Sequence, residues 1–161
     1  MRLILLLGGN QNDVRAKLKL AIEKLGLEFG DLIYCSSYYE SEPWGFEASQ
    51  RFINQVVEFY TLVPVNELLA ITQRIEKELG RKEKVGTVYE SRPIDIDILF
   101  VDDVIMEARD LTIPHRLLHE RRFTLLPLTE HWSELIHPKL QKTISELLDE
   151  CKDEGQVVKV N

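Results

Sequence analysis

In the first quarter of the chain, an apolar run is followed by an amphipathic segment. The apolar run over residues 3–7 ends in Gly8-Gly9-Asn10, which predicts a buried strand followed by a structural turn. Apolar residues then recur at helical spacing over 14–25, directly after Asp13, a residue that can cap a helix. The pattern therefore predicts a β-α unit at the amino-terminal end.

The middle of the chain predicts three more strands and a second helix. Short runs rich in β-branched and aromatic residues at 32–39, 52–62 and 94–101 indicate strands. A helical apolar face lies between Pro64, which suits a helix start, and Gly80, which suits a helix end. The order β-α-β-β-α-β is typical of an α+β, ferredoxin-like fold with an antiparallel sheet.

The last third is less regular and predicts additions to this core. Residues 104–106 and 111–113 can form a small hairpin, and 116–128 predicts a helix that ends near Pro127. Thr143 and Glu146 have the spacing of a capping box before a short helix. No repeat or long linker divides the sequence, so we expect residues 1–161 to form one domain, with a packing role for the segment beyond about 140.

Composition narrows the function classes. The 161 residues are 44% hydrophobic and carry a formal net charge of −7, which argues against a general nucleic-acid or anionic-membrane binder. Only two cysteines occur, so a disulfide framework is not indicated. The sequence has no signal-peptide pattern and no apolar stretch of membrane-spanning length. We therefore expect a cytoplasmic, soluble protein.

Two aspartates in the fourth predicted strand are the strongest chemical signal. Asp95 and Asp97 are two residues apart, so a strand directs both side chains to one face, while Ile96 and Ile98 point into the core. Adjacent carboxylates repel each other unless a cation lies between them. Magnesium ions bound to nucleotides take one or two carboxylates together with phosphate oxygens and water. A solvated strand face is the alternative reading of this pair taken alone.

Two basic stretches accompany the acidic pair in a chain that is acidic as a whole. Residues 81–92 contain four Lys or Arg against two Glu, and 115–122 contain three Arg against one Glu. Arginine suits phosphate because its planar guanidinium donates two parallel hydrogen bonds and stays charged. Each stretch alone can be a solvated loop or helix end, but together with the acidic pair they favour a polyphosphate site and phosphoryl-type transfer from ATP.

Several motifs together resemble the hydroxymethyl-dihydropterin pyrophosphokinase family of folate biosynthesis over nearly the whole chain. They are Gly8-Gly9-Asn10, the run from Ser36 to Gly45, Phe52-Ile53-Asn54, Gln73-Arg74-Ile75-Glu76, Gly80-Arg81, Arg92-Pro93-Ile94-Asp95-Ile96-Asp97, Leu111-Thr112-Ile113-Pro114-His115, His119-Glu120-Arg121-Arg122-Phe123 and Pro127-Leu128. Val88, Tyr89, Glu90 and Arg116 depart from residues common in that family.

The resemblance implies a ferredoxin-like enzyme that transfers the pyrophosphoryl group of ATP to a pterin hydroxymethyl oxygen and releases AMP. Asp95 and Asp97 would bind two Mg²⁺ ions, with Asp97 a candidate proton acceptor. Arg81 and Arg92 would neutralise the transferred phosphates. The remaining residues implied for ATP are Gln73, Glu76, Ile98, Thr112, His115 and Arg121, and those implied for the pterin are Ser41, Trp44, Phe52, Asn54 and Phe123. Loops at about 42–51 and 82–91 would close over the ligands. We expect a monomer.

Two other hypotheses remain open at the level of sequence. One is a different two-metal phosphoryl- or nucleotidyl-transferring enzyme on the same fold, because fold does not fix function. The other is a non-catalytic ligand-binding module, which would not need the aspartate pair. Asn54, placed between two candidate stacking aromatic residues, argues against the first of these alternatives.

Overall fold

A computed structural model describes residues 1–42, 51–80 and 93–160. Within them, a six-stranded antiparallel sheet has the path β5-β1-β4-β3-β8, and β2 pairs with β4 beside β3. The elements are β1 (Arg2–Gly9), α1 (Val14–Phe29), β2 (Asp31–Cys35), β3 (Tyr38–Ser41), β4 (Phe52–Tyr60), α2 (Val65–Glu78), β5 (Asp95–Val101), β6 (Met106–Glu107), β7 (Thr112–Ile113), α3 (Arg122–Leu128), α4 (Ile144–Glu150) and β8 (Val157–Val160).

Strand β1 lies inside the sheet and has two buried faces, which explains its continuous apolar run. Leu3, Leu5 and Leu7 pack with α1 and α2, whereas Ile4 and Leu6 pack with α3, α4 and Trp132. Each face of the sheet thus has its own apolar core, and α1 and α2 cover only one of them. The ferredoxin-like prediction is confirmed, and the second core is the contribution of the carboxyl-terminal third.

The single strand predicted over 32–39 is wrong, because the structure has two short strands, β2 and β3, with a break at Ser36 and Ser37. The Ser36 hydroxyl accepts a hydrogen bond from Val56 N at 2.9 Å and so takes the place of a backbone acceptor. The Gln55 side chain donates to Ser36 O at 2.8 Å. Side-chain hydrogen bonds of this kind compete with the regular ladder.

Two predictions about the first β-α unit are also wrong in detail. Gly8 and Gly9 do not form a turn, because both belong to β1. Asp13 precedes α1 as expected, but its backbone is left-handed, with φ of 63°, and its side chain makes no capping hydrogen bond. In contrast, Pro64 precedes α2, and Gly80 follows it with a positive φ of 103°.

The carboxyl-terminal third confirms some predicted elements and corrects others. The hairpin exists as β6 and β7, and Thr143 and Glu146 form both hydrogen bonds of a capping box at α4. The helix predicted over 116–128 is a one-turn 3₁₀ helix at Leu118–Glu120 followed by α3, because Arg121 between them is extended. Strand β8 was not predicted, since four residues give little pattern, and it extends the sheet beside β3.

Glu130 joins the end of α3 to the junction of β2 and β3. Its carboxylate accepts hydrogen bonds from Ser37 N and Oγ and from Tyr39 Oη, the last at 2.7 Å. Burial raises the pKa of Glu130, but these hydrogen bonds outweigh it and the net pKa is lowered. The carboxylate is therefore the stabilising form, and its contribution is lost as pH falls through the lowered pKa.

We expect Glu130→Ala to lower the free energy of unfolding by about 2 kcal/mol, because the buried Tyr39 hydroxyl loses its acceptor. The melting temperature of a chain of this size should then fall by about 4–8 °C. Thermal denaturation measures the change, with the exposed Glu134→Ala as the matched control. Equal melting temperatures for the two variants would contradict a structural role for Glu130.

Candidate functional site

The sheet brings the acidic pair and the predicted carboxamide into one row. Asp95 of β5 lies directly opposite Gly8 of β1, and Gly8 lies directly opposite Asn54 of β4. Side chains of directly paired residues share a face of an antiparallel sheet, and neighbouring strands are about 4.8 Å apart. Asp95 and Asn54 are therefore on the same face, roughly 10 Å apart across the glycine.

Asp97 lies two residues beyond Asp95 on the same face of β5, and two predicted phosphate ligands lie close to its carboxylate. Its Oδ2 is 3.8 Å from His115 Nε2 and 3.9 Å from Arg121 Nη1. Both distances exceed hydrogen-bond length, so the three groups are neighbours and are not directly hydrogen-bonded. Asp97 and Asp95 are partly exposed, whereas Ile96 and Ile98 are buried, which confirms the alternation predicted from sequence.

His115 is positioned as a neutral hydrogen-bond donor. Its pKa is lowered to about 4, chiefly by burial and also by the nearby charges of Arg121 and Arg116, against the opposing effect of Asp95. Its Nδ1 accepts a hydrogen bond from Leu117 N at 3.2 Å. The proton of the neutral ring therefore lies on Nε2, which faces Asp97 and can donate to an oxygen-rich ligand.

A cavity of about 370 Å³ lies beside the acidic pair. This volume is within the usual range of small-molecule sites. Four of the residues predicted from the family resemblance to bind nucleotide line it together with Asp97, and several apolar and charged side chains complete the wall. The lining is Leu69, Ile96, Asp97, Ile98, Arg109, Asp110, Leu111, Thr112, His115, Arg116, Leu117 and Arg121. The structure thus brings Ile98, Thr112, His115 and Arg121 together.

The two predicted nucleotide residues of α2 lie elsewhere. Glu76 is buried, and its Oε2 accepts a hydrogen bond at 2.8 Å from Ile96 N, the amide between the two aspartates. Gln73 is exposed and does not line the cavity, although it follows the cavity residue Leu69 by one helical turn. Glu76 thus fixes the backbone that carries the acidic pair, and the role of both residues toward ATP stays a prediction.

Of the five predicted pterin residues, the four that the structure describes lie on β3, β4 and α3. Asn54 and Ser41 are both buried, and Asn54 Nδ2 donates to Ser41 Oγ at 3.2 Å. Phe52 is directly opposite Ser41 in the sheet. Phe123 packs against the second core, and the Arg121 guanidinium lies 5.5 Å from its ring centre. The Arg121 guanidinium therefore lies close both to Asp97 and to the Phe123 ring.

The acidic pair fits a metal bound jointly by protein and ligand. No group of three or more His, Cys, Asp or Glu side chains suited to a metal occurs within residues 1–42, 51–80 and 93–160. A site that supplies only two carboxylates leaves the other positions to phosphate oxygens and water, as Mg²⁺ prefers in nucleotide complexes. Asp95 and Asp97 therefore fit a nucleotide-bound Mg²⁺.

Three predicted site residues, Trp44, Arg81 and Arg92, lie outside the described residues, as do most of the two loops expected to close. Sequence reasoning also missed the role of Gly8, because it interpreted this residue as part of a turn. The signal that could have found it is its position, since a glycine inside a strand often marks a close approach of another group.

In the part of the chain that the structure describes, no helix is long and apolar enough to cross a bilayer.

These features define a class of protein: an α+β enzyme whose sheet carries a pair of carboxylates beside a cavity lined by three arginines and one histidine. Comparison with known proteins identifies the family. The family model for 7,8-dihydro-6-hydroxymethylpterin-pyrophosphokinase matches residues 4–133. This chain therefore belongs to that family and is an ATP-dependent pterin pyrophosphokinase, a transferase of folate biosynthesis.

Curated relatives belong to the same family, and the matches cover most of this chain and most of each relative. The chain is 40% identical to the 2-amino-4-hydroxy-6-hydroxymethyldihydropteridine pyrophosphokinase of Porphyromonas gingivalis, covering 83% of this chain and 91% of that protein. It is 39% identical to the enzyme of the same name from Aquifex aeolicus, covering 89% and 88%. This membership excludes a non-catalytic module.

Solved structures support the fold independently of sequence. An HPPK-DHPS in complex with substrates matches with a TM-score of 0.74 and 17% identity, covering 92% of this chain and 43% of that chain. Plasmodium falciparum HPPK-DHPS matches with a TM-score of 0.74 and 18% identity, covering 92% and 40%. The present chain thus spans less than half of those longer chains, and at this identity the likeness concerns the fold alone.

Proposed function

We propose that this enzyme transfers the β,γ-pyrophosphoryl group of ATP to the hydroxymethyl oxygen of 6-hydroxymethyl-7,8-dihydropterin and releases AMP. The observation that carries the proposal is the row in which Asp95, Gly8 and Asn54 share one face of the sheet. In this row, the carboxylate that we propose to bind metal and a buried carboxamide are about 10 Å apart. This separation suits a substrate whose ring edge contacts the carboxamide and whose alcohol reacts beside the carboxylate.

Asp95 and Asp97 are proposed to bind two Mg²⁺ ions together with the triphosphate. When bound, these ions would supply charge neutralisation to the phosphates and alignment of the reacting oxygens. The chain's own contribution is to hold both carboxylates on one face, through the hydrogen bond from Ile96 N to Glu76. Asp97 is also the candidate acceptor of the hydroxyl proton.

The cavity beside Asp97 is proposed to bind ATP. Arg121 and the neutral Nε2–H of His115 would donate hydrogen bonds to phosphate oxygens, and Ile98 and Thr112 would contact the nucleoside. Gln73 and Glu76 on α2 are proposed to complete the nucleotide side, with Arg81 and Arg92 on the transferred phosphates. Bond formation from the alcohol oxygen to the β-phosphorus breaks the bond to the oxygen that AMP retains.

Phe52 and Phe123 are proposed to stack on the flat pterin, while Ser41, Asn54 and the Trp44 backbone contact its hydrogen-bonding edge. The buried Asn54 amide supports this because a fixed polar group rejects analogues that cannot pair with it. We also propose that the enzyme acts as a cytoplasmic monomer and that its two loops exclude water from the closed complex.

Product analysis with ATP, Mg²⁺ and 6-hydroxymethyl-7,8-dihydropterin tests the proposed reaction. We expect AMP and pterin diphosphate to form in equal amounts, with no AMP when either the pterin or Mg²⁺ is omitted. ADP formation would instead indicate transfer of a single phosphoryl group. Absence of pterin-dependent product from folded protein would reject the proposed substrate.

A further inference from the structure

Gly8 occupies an interior strand position where a side chain does not fit. A Cβ built on Gly8 would lie 2.4 Å from Asn54 Oδ1 and 3.4 Å from Ile53 O. A contact of 2.4 Å to a heavy atom does not occur for real Cβ atoms, so Asn54 would have to move. Gly8 does not have a positive φ, so backbone strain does not explain the glycine. The reason is the close approach of the Asn54 carboxamide.

The carboxamide cannot move away at low cost. Asn54 is 4% exposed and Ser41 is 3% exposed, and the hydrogen bond from Asn54 Nδ2 to Ser41 Oγ holds one end of the amide. The other end, Oδ1, therefore lies over the bare Cα of Gly8. Neighbouring strands fix the Asn54 backbone on both sides, through β1 and β3. A methyl group on Gly8 would thus rotate the amide out of this orientation.

We propose that Gly8 is a positioning residue for pterin selection, acting through Asn54. Its missing side chain keeps the Asn54 Oδ1 acceptor in the orientation that receives a hydrogen bond from the donor edge of the pterin. This inference rests on the proposed function, because it assigns Asn54 to that edge. It predicts that Gly8 affects pterin recognition and leaves nucleotide recognition unchanged, although Gly8 lies directly opposite Asp95 as well.

The adjacent glycine and a helical glycine show that the constraint is local. A Cβ on Gly9 would meet Pro93 O at 2.6 Å and Val14 Cγ2 at 2.9 Å, so Gly9 serves packing away from Asn54. A Cβ on Gly26, within α1, would have its nearest contact at 4.0 Å. Gly26→Ala is therefore a matched control in which the same atom is added at ordinary van der Waals distance from its nearest neighbour, the Phe59 ring.

Steady-state kinetics of Gly8→Ala test the proposal. We expect KM for the pterin to rise about 10- to 100-fold, the range for a buried hydrogen bond misdirected in a specific site. KM for ATP should stay within about threefold, and Gly26→Ala should match the unsubstituted enzyme in both constants. A general loss of structure would instead change both KM values and the melting temperature together.

A double-substitution cycle shows whether Gly8 acts through Asn54. In an Asn54→Ala background the amide is absent, so adding Gly8→Ala should change KM for the pterin by less than about threefold. An additional tenfold rise would overturn the proposal, as would an unchanged KM in Gly8→Ala alone. If Gly8→Ala does not fold, the comparison of the double variant with Asn54→Ala replaces the cycle. The double variant lacks the collision, so it should fold, and a double variant that also fails to fold would overturn the proposal. Failure of the proposed function is distinct, since the unsubstituted enzyme would then form no pterin product.

Discussion

Asp97→Ala and Asp95→Ala are each expected to lower kcat for pyrophosphoryl transfer by about 10³-fold or more, with the fold intact. Each variant removes one of the two carboxylates proposed to hold the Mg²⁺–triphosphate complex. Both side chains are partly exposed, so their loss opens no cavity in either core. Removing one of two neighbouring negative charges relieves repulsion, but Asp97→Ala also removes the charge that lies 3.9 Å from the Arg121 guanidinium. These effects oppose each other, so the melting temperature should change little.

Single-turnover kinetics at saturating Mg²⁺ and thermal denaturation together check this result. Asp103→Ala is the matched control, because Asp103 is exposed in the turn directly after β5. We expect that control to retain full activity. Activity within tenfold of the unsubstituted enzyme in both Asp95→Ala and Asp97→Ala would remove the acidic pair from the mechanism. A melting temperature lowered by many degrees would show a structural role instead.

The order of the main elements was predictable because their patterns are long and each has one dominant cause. The run at 3–7 is apolar throughout since both faces of β1 are buried, and the α2 pattern has a proline before it and a glycine after it. Strand β5 was predicted with its two partly exposed aspartates, because side chains that alternate along a strand point to the solvent face and the core face in turn. These signals are local, so sequence alone contains them.

The details that sequence did not predict depend on contacts between distant residues. The break between β2 and β3 follows from Ser36 bonding to Val56 N, 20 positions away. Glu76 was expected only to seat ATP, but its bond to Ile96 N ties α2 to β5 across the same interval. Gly8 cannot carry a side chain because of Asn54, which is 46 positions away in the sequence. Neither periodicity nor propensity contains such pairings.

The site was predicted from the combination of motifs and not from any one of them. The Asp95/Asp97 pair alone left a solvated strand open as an alternative, and each basic stretch alone was ambiguous. The structure adds the physical reason for the combination, because the extended Arg121 between the 3₁₀ helix and α3 lies 3.9 Å from Asp97. The irregular backbone that the helix prediction missed is thus the feature that positions a candidate phosphate ligand.

Arg121→Ala should lower kcat/KM for ATP by about 10²- to 10³-fold, the second largest effect we expect on activity. The guanidinium lines the cavity beside Asp97 and also lies over the Phe123 ring, so it is held at two places. Arg121→Lys keeps the positive charge but loses the planar pair of donors. It should therefore recover only part of the loss, about tenfold.

Arg74→Ala is the matched control for the role of Arg121 in ATP binding, because Arg74 is exposed on α2 and pairs with Glu28 on α1. Removing that guanidinium should change kcat/KM by less than about threefold. If Arg121 binds phosphate, Arg121→Ala should lower the rate most when ATP, supplied with Mg²⁺, is below saturation. The change in KM for the pterin should be smaller. A loss confined to the pterin constant would mean that Arg121 acts through Phe123, and its assignment to the nucleotide would then be wrong.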